Sequence, residues 1–126
     1  MKAVIDSDVL IDYLQGVDAA KAELEQYDRP LYSVISWMEL MCGAGSQPER
    51  TAVECLLNSM QRVDLDLNIA RKAVEFRKKG KLKLPDAIIL ATADQEGCIL
   101  VTRNSKDFGR QDPRIRIPYA VSEEGQ

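Results

Sequence analysis

The chain opens with a short apolar run that ends on an acid: Ala3-Val4-Ile5, then Asp6. The run is partly β-branched and flanked by charge, the pattern of a buried strand. In an open parallel sheet, chemistry sits in the crevice beyond the carboxyl ends of the strands. Asp6 falls at that edge, so the remaining chain must build the walls around it.

The spacing of Val9, Leu10 and Leu14 predicts a helix from Asp8 to Leu14, closed by Gly16. Asp18 is the expected cap of a second helix, about Ala19 to Tyr27, which Pro30 breaks. Leu31 to Ile35 reads as a second strand. Ser36 and Glu39 match a capping box and predict a helix that starts at Ser36 and ends near Gly43 or Gly45. Pro48 and Thr51 open another helix, running to about Met60, and Arg62 to Leu65 is a candidate third strand. Asn68 is the expected cap of a helix with Ile69, Ala73 and Phe76 on one face, stopped by Gly80. Pro85 and Asp86 begin a helix that is apolar on most sides and therefore deeply buried. Cys98 to Val101 is a clear strand, Thr102 to Phe108 a polar loop at its carboxyl end, and Ile115 to Pro118 an edge strand that tolerates proline. Residues from Ser122 read as a frayed tail. Strands alternating with helices predict an α/β fold with a mainly parallel sheet, in a single domain over residues 1–126 with its core at about 2–118.

Composition narrows the chemistry. There is no histidine, which removes imidazole as base, metal ligand or phosphate carrier. The three cysteines, Cys42, Cys55 and Cys98, are odd in number and far apart, which indicates free thiols in a reducing cytoplasm. No apolar run approaches ~20 residues, so no membrane span is expected, and no secretory signal is visible. Residues 1–70 carry 5 basic and 12 acidic side chains, a net −7; residues 71–126 carry 12 basic and 8 acidic, a net +4. A carboxylate site beside a basic surface fits a metal enzyme acting on a polyanion; solvated helix faces of mixed sign are the plainer alternative.

Four acids occupy similar settings. Asp6 ends the first strand, Glu39 and Asp86 lie in expected first helical turns, and Asp107 follows the last clear strand. Crossovers in a parallel sheet bring strand ends to one rim. Clustered carboxylates either take up protons or bind a cation, and the matching cation is hard and oxygen-loving, Mg²⁺ or Mn²⁺. Each acid also has a structural alternative: Glu39 completing the capping box, Asp86 facing a helix dipole, Asp107 in a turn, Asp6 capping the next helix while Asp8 takes the chemical role.

Four segments carry a resemblance: Val4-Ile5-Asp6-Ser7-Asp8-Val9-Leu10-Ile11-Asp12; Ser36-Trp37-Met38-Glu39-Leu40; Leu84-Pro85-Asp86-Ala87 through Ala93; and Leu100-Val101-Thr102-Arg103-Asn104-Ser105-Lys106-Asp107-Phe108. Their order resembles that of the PIN-domain ribonucleases, most closely the VapC-type toxins of toxin–antitoxin pairs, over about Lys2 to Pro118. The resemblance implies a three-layer sandwich of helices around a parallel sheet. It also implies Mg²⁺- or Mn²⁺-dependent RNA cleavage, a homodimer, and an antitoxin whose C-terminal segment occupies the active-site groove. By position, Asp6, Glu39 and Asp86 match the three recurrent acids. Asp107 is taken as the fourth and Asn104 as an orienting partner, with Ser7 and Thr102 aiming carboxylates or metal-bound waters.

For phosphate contacts the expected residues are Arg71, Lys72, Arg77, Lys78, Lys79, Lys81, Lys83, Arg103, Lys106 and Arg110. Trp37 and Tyr13 are candidates for stacking on bases, or for the core or a dimer interface. Two other classes compete. Asp6-Ser7-Asp8 resembles the Asp-x-Asp start of haloacid-dehalogenase-type phosphatases, with Asp6 as nucleophile; Leu10 stands where that family places Thr, and the chain leaves no room for a cap. A non-catalytic PIN-like module that binds RNA or protein is the other, against which the retained acids argue.

Overall fold

The structure, a computed structural model, describes residues 1–109 and 112–120. Five strands form one sheet: β1 (Lys2–Ile5), β2 (Arg29–Ser33), β3 (Gln61–Val63), β4 (Ile99–Val101) and β5 (Ile115–Arg116). Their order is β3-β2-β1-β4-β5, and every pairing is parallel. Six helices connect them: α1 (Ser7–Leu14), α2 (Asp18–Glu25), α3 (Val34–Gly43), α4 (Gln47–Asn58), α5 (Leu67–Lys79) and α6 (Leu84–Gln95).

The alternation of side chains along β1 splits the core in two. Ala3 and Ile5 pack with Val9, Leu10, Leu24, Leu40, Val53 and Leu57 from α1 to α4. Val4 packs with Leu31, Leu100, Ile69, Ala73, Ile89 and Leu90, the last four from α5 and α6. Burial on both faces explains why β1 reads as a continuous apolar run. The result is the three-layer α/β sandwich with a parallel sheet. From β1 the chain steps outward through β2 to β3, then returns to place β4 on the other side of β1. The switch point of the sheet therefore lies between β1 and β4, the crevice where open α/β sheets bind their ligands.

Several local expectations are corrected. Helix α2 starts at Asp18 itself, with Val17 as the cap residue, and ends at Glu25 rather than Tyr27. Pro30 does not break a helix; it lies inside β2, opposite Ala3. Strand β2 stops at Ser33, whose hydroxyl caps α3 by accepting from Ile35 N at 3.0 Å. Ser36 and Glu39 consequently form no capping box; Ser36 lies inside α3. The reciprocal box belongs to Ser46 and Glu49 at the head of α4. Asp66, not Asn68, caps α5, accepting from Ile69 N at 2.8 Å. Gly16 does follow α1 at φ 82°, a left-handed conformation that a side chain would strain. Cys42, Cys55 and Cys98 are unpaired, the first two exposed and the third half-buried. Among the described residues no helix is long and apolar enough to cross a membrane. The expected tail from Ser122 lies outside the described residues.

Candidate active site

Asp6 is delivered to the switch point by β1. Its backbone N–H donates to Val101 O of β4 at 2.8 Å, so the residue is locked between the two strands. Its carboxylate caps α1, Oδ1 accepting from Ser7 N at 2.7 Å, while Oδ2 accepts from Thr102 Oγ1 at 2.7 Å. Asp6 is only 5% exposed. Burial is the main force raising its pKa, the charges of Asp8 and Asp86 add to it, and the hydrogen bonds from Thr102 and Ser7 oppose it.

Asp8 follows in the first turn of α1, at 3.3 Å from Thr102 Oγ1 and 3.5 Å from Arg103 N. Its pKa is raised too, by burial first, against the pull of Arg103. Helix α3 carries Glu39 to the same rim. Ser7 Oγ lies 2.6 Å from Glu39 Oε1 and 2.8 Å from Ser36 Oγ. Having one proton, Ser7 donates to the carboxylate and accepts from Ser36. Asp86 enters on the first turn of α6 behind Pro85. Burial raises its pKa most, followed by the charges of Asp107 and Glu39; Lys83 opposes and Asp8 adds. Asp107 is exposed and closes a small ring with Asn104, whose Nδ2 donates to Asp107 Oδ2 at 3.0 Å while Asp107 N donates back to Asn104 Oδ1 at 3.2 Å.

Asp86 thus adjoins Asp6, Asp8, Glu39 and Asp107 electrostatically. Among the described residues none of the five is in a salt bridge. Glu39 is drawn toward Ser7 and Asp107 toward Asn104, so the acids neighbour one another without meeting at one point. Among the described residues no three acidic or thiol side chains share a common ligating position. The donor set itself fits a hard cation: oxygens only, negative, with Asp6 buried and Asp8 and Asp86 half-buried.

Sequence reasoning did not assign Asp12 or Tyr119. Asp12 Oδ2 accepts from Arg103 Nε at 2.7 Å and from Tyr119 OH at 2.8 Å. Asp12 lies one helical turn beyond Asp8, a spacing visible in the sequence; its partners are not. Arg103, expected to meet phosphate, is therefore engaged within the chain. So are Lys72, paired with Asp94 at 2.8 Å, and Arg77, which donates to Leu82 O at 2.9 Å. Arg71, Lys78, Lys79, Lys81, Lys83 and Lys106 are exposed, whereas Arg110 lies outside the described residues. Trp37 is 38% exposed on α3, and Tyr13 packs partly against the core.

A parallel sheet with acids gathered at its switch point defines a class of α/β domain that carries its site beyond the carboxyl ends of its strands. The chain belongs to the PIN-domain family, whose model matches residues 3–112. It is similar to Ribonuclease VapC10 of Mycobacterium tuberculosis, with 36% identity over 126 residues, 94% of this chain and 93% of the relative. A toxin–antitoxin complex from Klebsiella pneumoniae contains a chain similar at TM-score 0.88 and 38% identity, over 94% of this chain and 99% of that one. A DNA-bound VapBC from Salmonella typhimurium has the same fold at TM-score 0.79 and 23% identity, over 92% and 96% of the two chains.

Proposed function

We propose that the protein is a Mg²⁺- or Mn²⁺-dependent endoribonuclease and the toxin of a toxin–antitoxin pair, acting in the cytoplasm. The observation that carries this is the cluster of acids without salt-bridge partners around the β1–β4 switch point, in a chain similar to a ribonuclease along almost its whole length. Asp6, Glu39, Asp86 and Asp107 are the residues that would hold the metal. Bound there, the ion supplies an activated water and neutralises charge on the phosphodiester.

The chain's own contribution is orientation. Thr102 aims Asp6, Ser7 aims Glu39, and Asn104 aims Asp107. Exposed Lys78, Lys79, Lys81 and Lys83, at the end of α5 and in the connector to α6, are placed to contact phosphates, which positions RNA without reading its sequence.

The partner we infer is an antitoxin with an apolar segment, alongside assembly as a homodimer. A groove of about 260 Å³ between α1, α3 and α4 is lined by Ile11, Leu14, Leu40, Ala52 and Val53, with Gln15, Glu39 and Glu49 as its polar residues. A segment laid along it would touch Glu39. The test is mapping of RNA ends after brief expression, comparing wild type with Asp6→Ala and Asp86→Ala. New ends with the wild type alone, lost on chelation of the metal in vitro, are expected. Equal cleavage by either variant, or cleavage indifferent to chelator, refutes the proposal.

A further inference from the structure

We infer that Asp12 is a positioning residue for RNA cleavage, acting through Arg103 on the loop that holds Asp6. This rests on the ribonuclease reading above. Asp12 sits on α1 four residues after Asp8, so the two carboxylates share one helix face. Arg103 spans that turn. Its backbone N–H points at Asp8 Oδ1, 3.5 Å away, and its side-chain Nε donates to Asp12 Oδ2 at 2.7 Å. On either side of it, Thr102 Oγ1 donates to Asp6 Oδ2, and Asn104 N donates to Thr102 Oγ1 at 3.1 Å. Residues 102–104 are therefore laid against α1, with the Asp12–Arg103 pair as their outer fastening.

A second element ends on the same oxygen. Tyr119 OH donates to Asp12 Oδ2 at 2.8 Å, which ties the segment after β5 to α1. Strand β5 in turn holds Thr102, whose backbone N–H donates to Arg116 O at 3.1 Å. One carboxylate thus gathers the exits of β4 and β5 onto the helix that Asp6 caps. Tyr119, like β5, lies beyond the residues that the family model matches. Asp12 is 9% exposed and the Arg103 side chain 28%. The pair is sheltered enough to hold its geometry, and its position is the rim rather than the core.

The competing role for Arg103 is direct contact with phosphate, and the two roles separate in kinetics. Steady-state cleavage of a single-stranded RNA of wild-type-mapped sequence is measured for wild type, Asp12→Asn, Arg103→Ala, Arg103→Lys, Tyr119→Phe and the Asp12→Asn/Arg103→Ala double variant. Asp12→Asn and Arg103→Ala should each lower kcat about tenfold, as loss of an outer-shell partner does, with KM changed less than about twofold. The double variant should be no worse than either single one, because both break the same fastening. Arg103→Lys should recover part of the loss, and Tyr119→Phe should cost about threefold or less.

A KM rise in Arg103→Ala with unchanged kcat, or a wild-type kcat in Asp12→Asn, overturns the inference. Hydrogen exchange at the Arg103 and Asn104 amides supplies a readout that needs no activity. It should quicken in Asp12→Asn while exchange in β1 stays as in wild type; unchanged exchange at those amides overturns the inference even if no RNA substrate is found. A wild type that cleaves no RNA counts against the ribonuclease reading, whereas these exchange rates bear on the fastening itself.

Discussion

Replacing Asp6 by Asn isolates the cost of keeping a charge at the head of the sheet. The carboxylate accepts from Ser7 N and from Thr102 Oγ1, both at 2.7 Å. An amide fits the same places. Its Oδ1 accepts from Ser7 N, and its Nδ2 donates to Thr102 Oγ1, which already accepts from Asn104 N and has a second lone pair. The Thr102 proton then turns to Asp8 Oδ2, 3.3 Å away. The second amide hydrogen is left facing the neighbouring carboxylates, so the substitution removes a charge and leaves at most one donor to be re-paired.

Burial, then the charge of Asp8, holds the Asp6 pKa above its ordinary 3.8. The folded protein binds that proton more tightly than the unfolded chain does. Wild-type stability therefore falls as pH rises from about 4 through the raised value, and the full penalty applies above it. The Asp6 pKa is pushed up to about 8, and half of that rise already corresponds to about 3 kcal/mol. We expect metal-free Asp6→Asn to be more stable than wild type by about 2–4 kcal/mol at pH 8, and equal to it near pH 4. For a chain of this size that is a gain of roughly 6–15 °C in Tm. The assay is urea unfolding in the presence of a chelator across this pH range. Adding Mg²⁺ should narrow the gap from the wild-type side, since an ion that binds only the folded carboxylates stabilises that state. A variant no more stable than wild type at pH 8, or a difference that does not change between pH 4 and pH 8, refutes the reasoning.

Other perturbations follow from single contacts. Ser7→Ala frees Glu39 and leaves the fully buried Ser36 hydroxyl without its partner; it should cost about 1–3 kcal/mol in urea unfolding and lower kcat about tenfold. Glu23 is buried on α2, accepts from Arg116 Nε at 2.6 Å and NH2 at 2.9 Å and from Tyr27 OH at 2.6 Å, and has its pKa lowered chiefly by Arg116. Glu23→Gln should destabilise by about 2–4 kcal/mol at pH 7. Because a lowered carboxylate pKa contributes stability above the unfolded value and loses it as pH falls through the folded one, variant and wild type should converge in acid. Alanine at any of Lys78, Lys79, Lys81 or Lys83 that meets phosphate should weaken RNA binding and reduce the log–log salt slope by about 0.7, read by fluorescence anisotropy.

Where the sequence was informative, the signal was local; where it misled, the deciding partner was distant. Asp6 could be placed because the run before it is apolar at every position, and only a strand buried on both faces needs that. Asp86 could be placed because Pro85 fixes a helix start. The capping box at Ser36 looked equally local and was wrong. Ser33 and Ser36 can both accept an amide proton, and the choice fell to Ser33 because the pairing of β2 with β3 runs to Ser33 and Val63. Val34 and Ile35 then enter the helix against their β-branched preference. That three-residue shift changes the chemistry: Ser36 is turned inward to Ser7, and Glu39 is released from capping to face the acids.

Arg103 fails for the complementary reason. In the sequence it stands in a polar loop beside Thr102, where a free guanidinium suits phosphate. Its partner Asp12 is 91 residues away and the latch residue Tyr119 lies 107 residues from Asp12, separations at which no periodicity or capping rule operates. The same holds for Lys72 and Asp94, which the packing of α5 against α6 brings together. Lys78, Lys79, Lys81 and Lys83 differ because the chain turns them outward at the end of α5 and across the connector, and among the described residues none of them is ion-paired. Of the positive charges counted in the second half of the chain, those held in pairs sustain the scaffold. The unpaired ones are the exposed lysines on which the proposed RNA contacts depend.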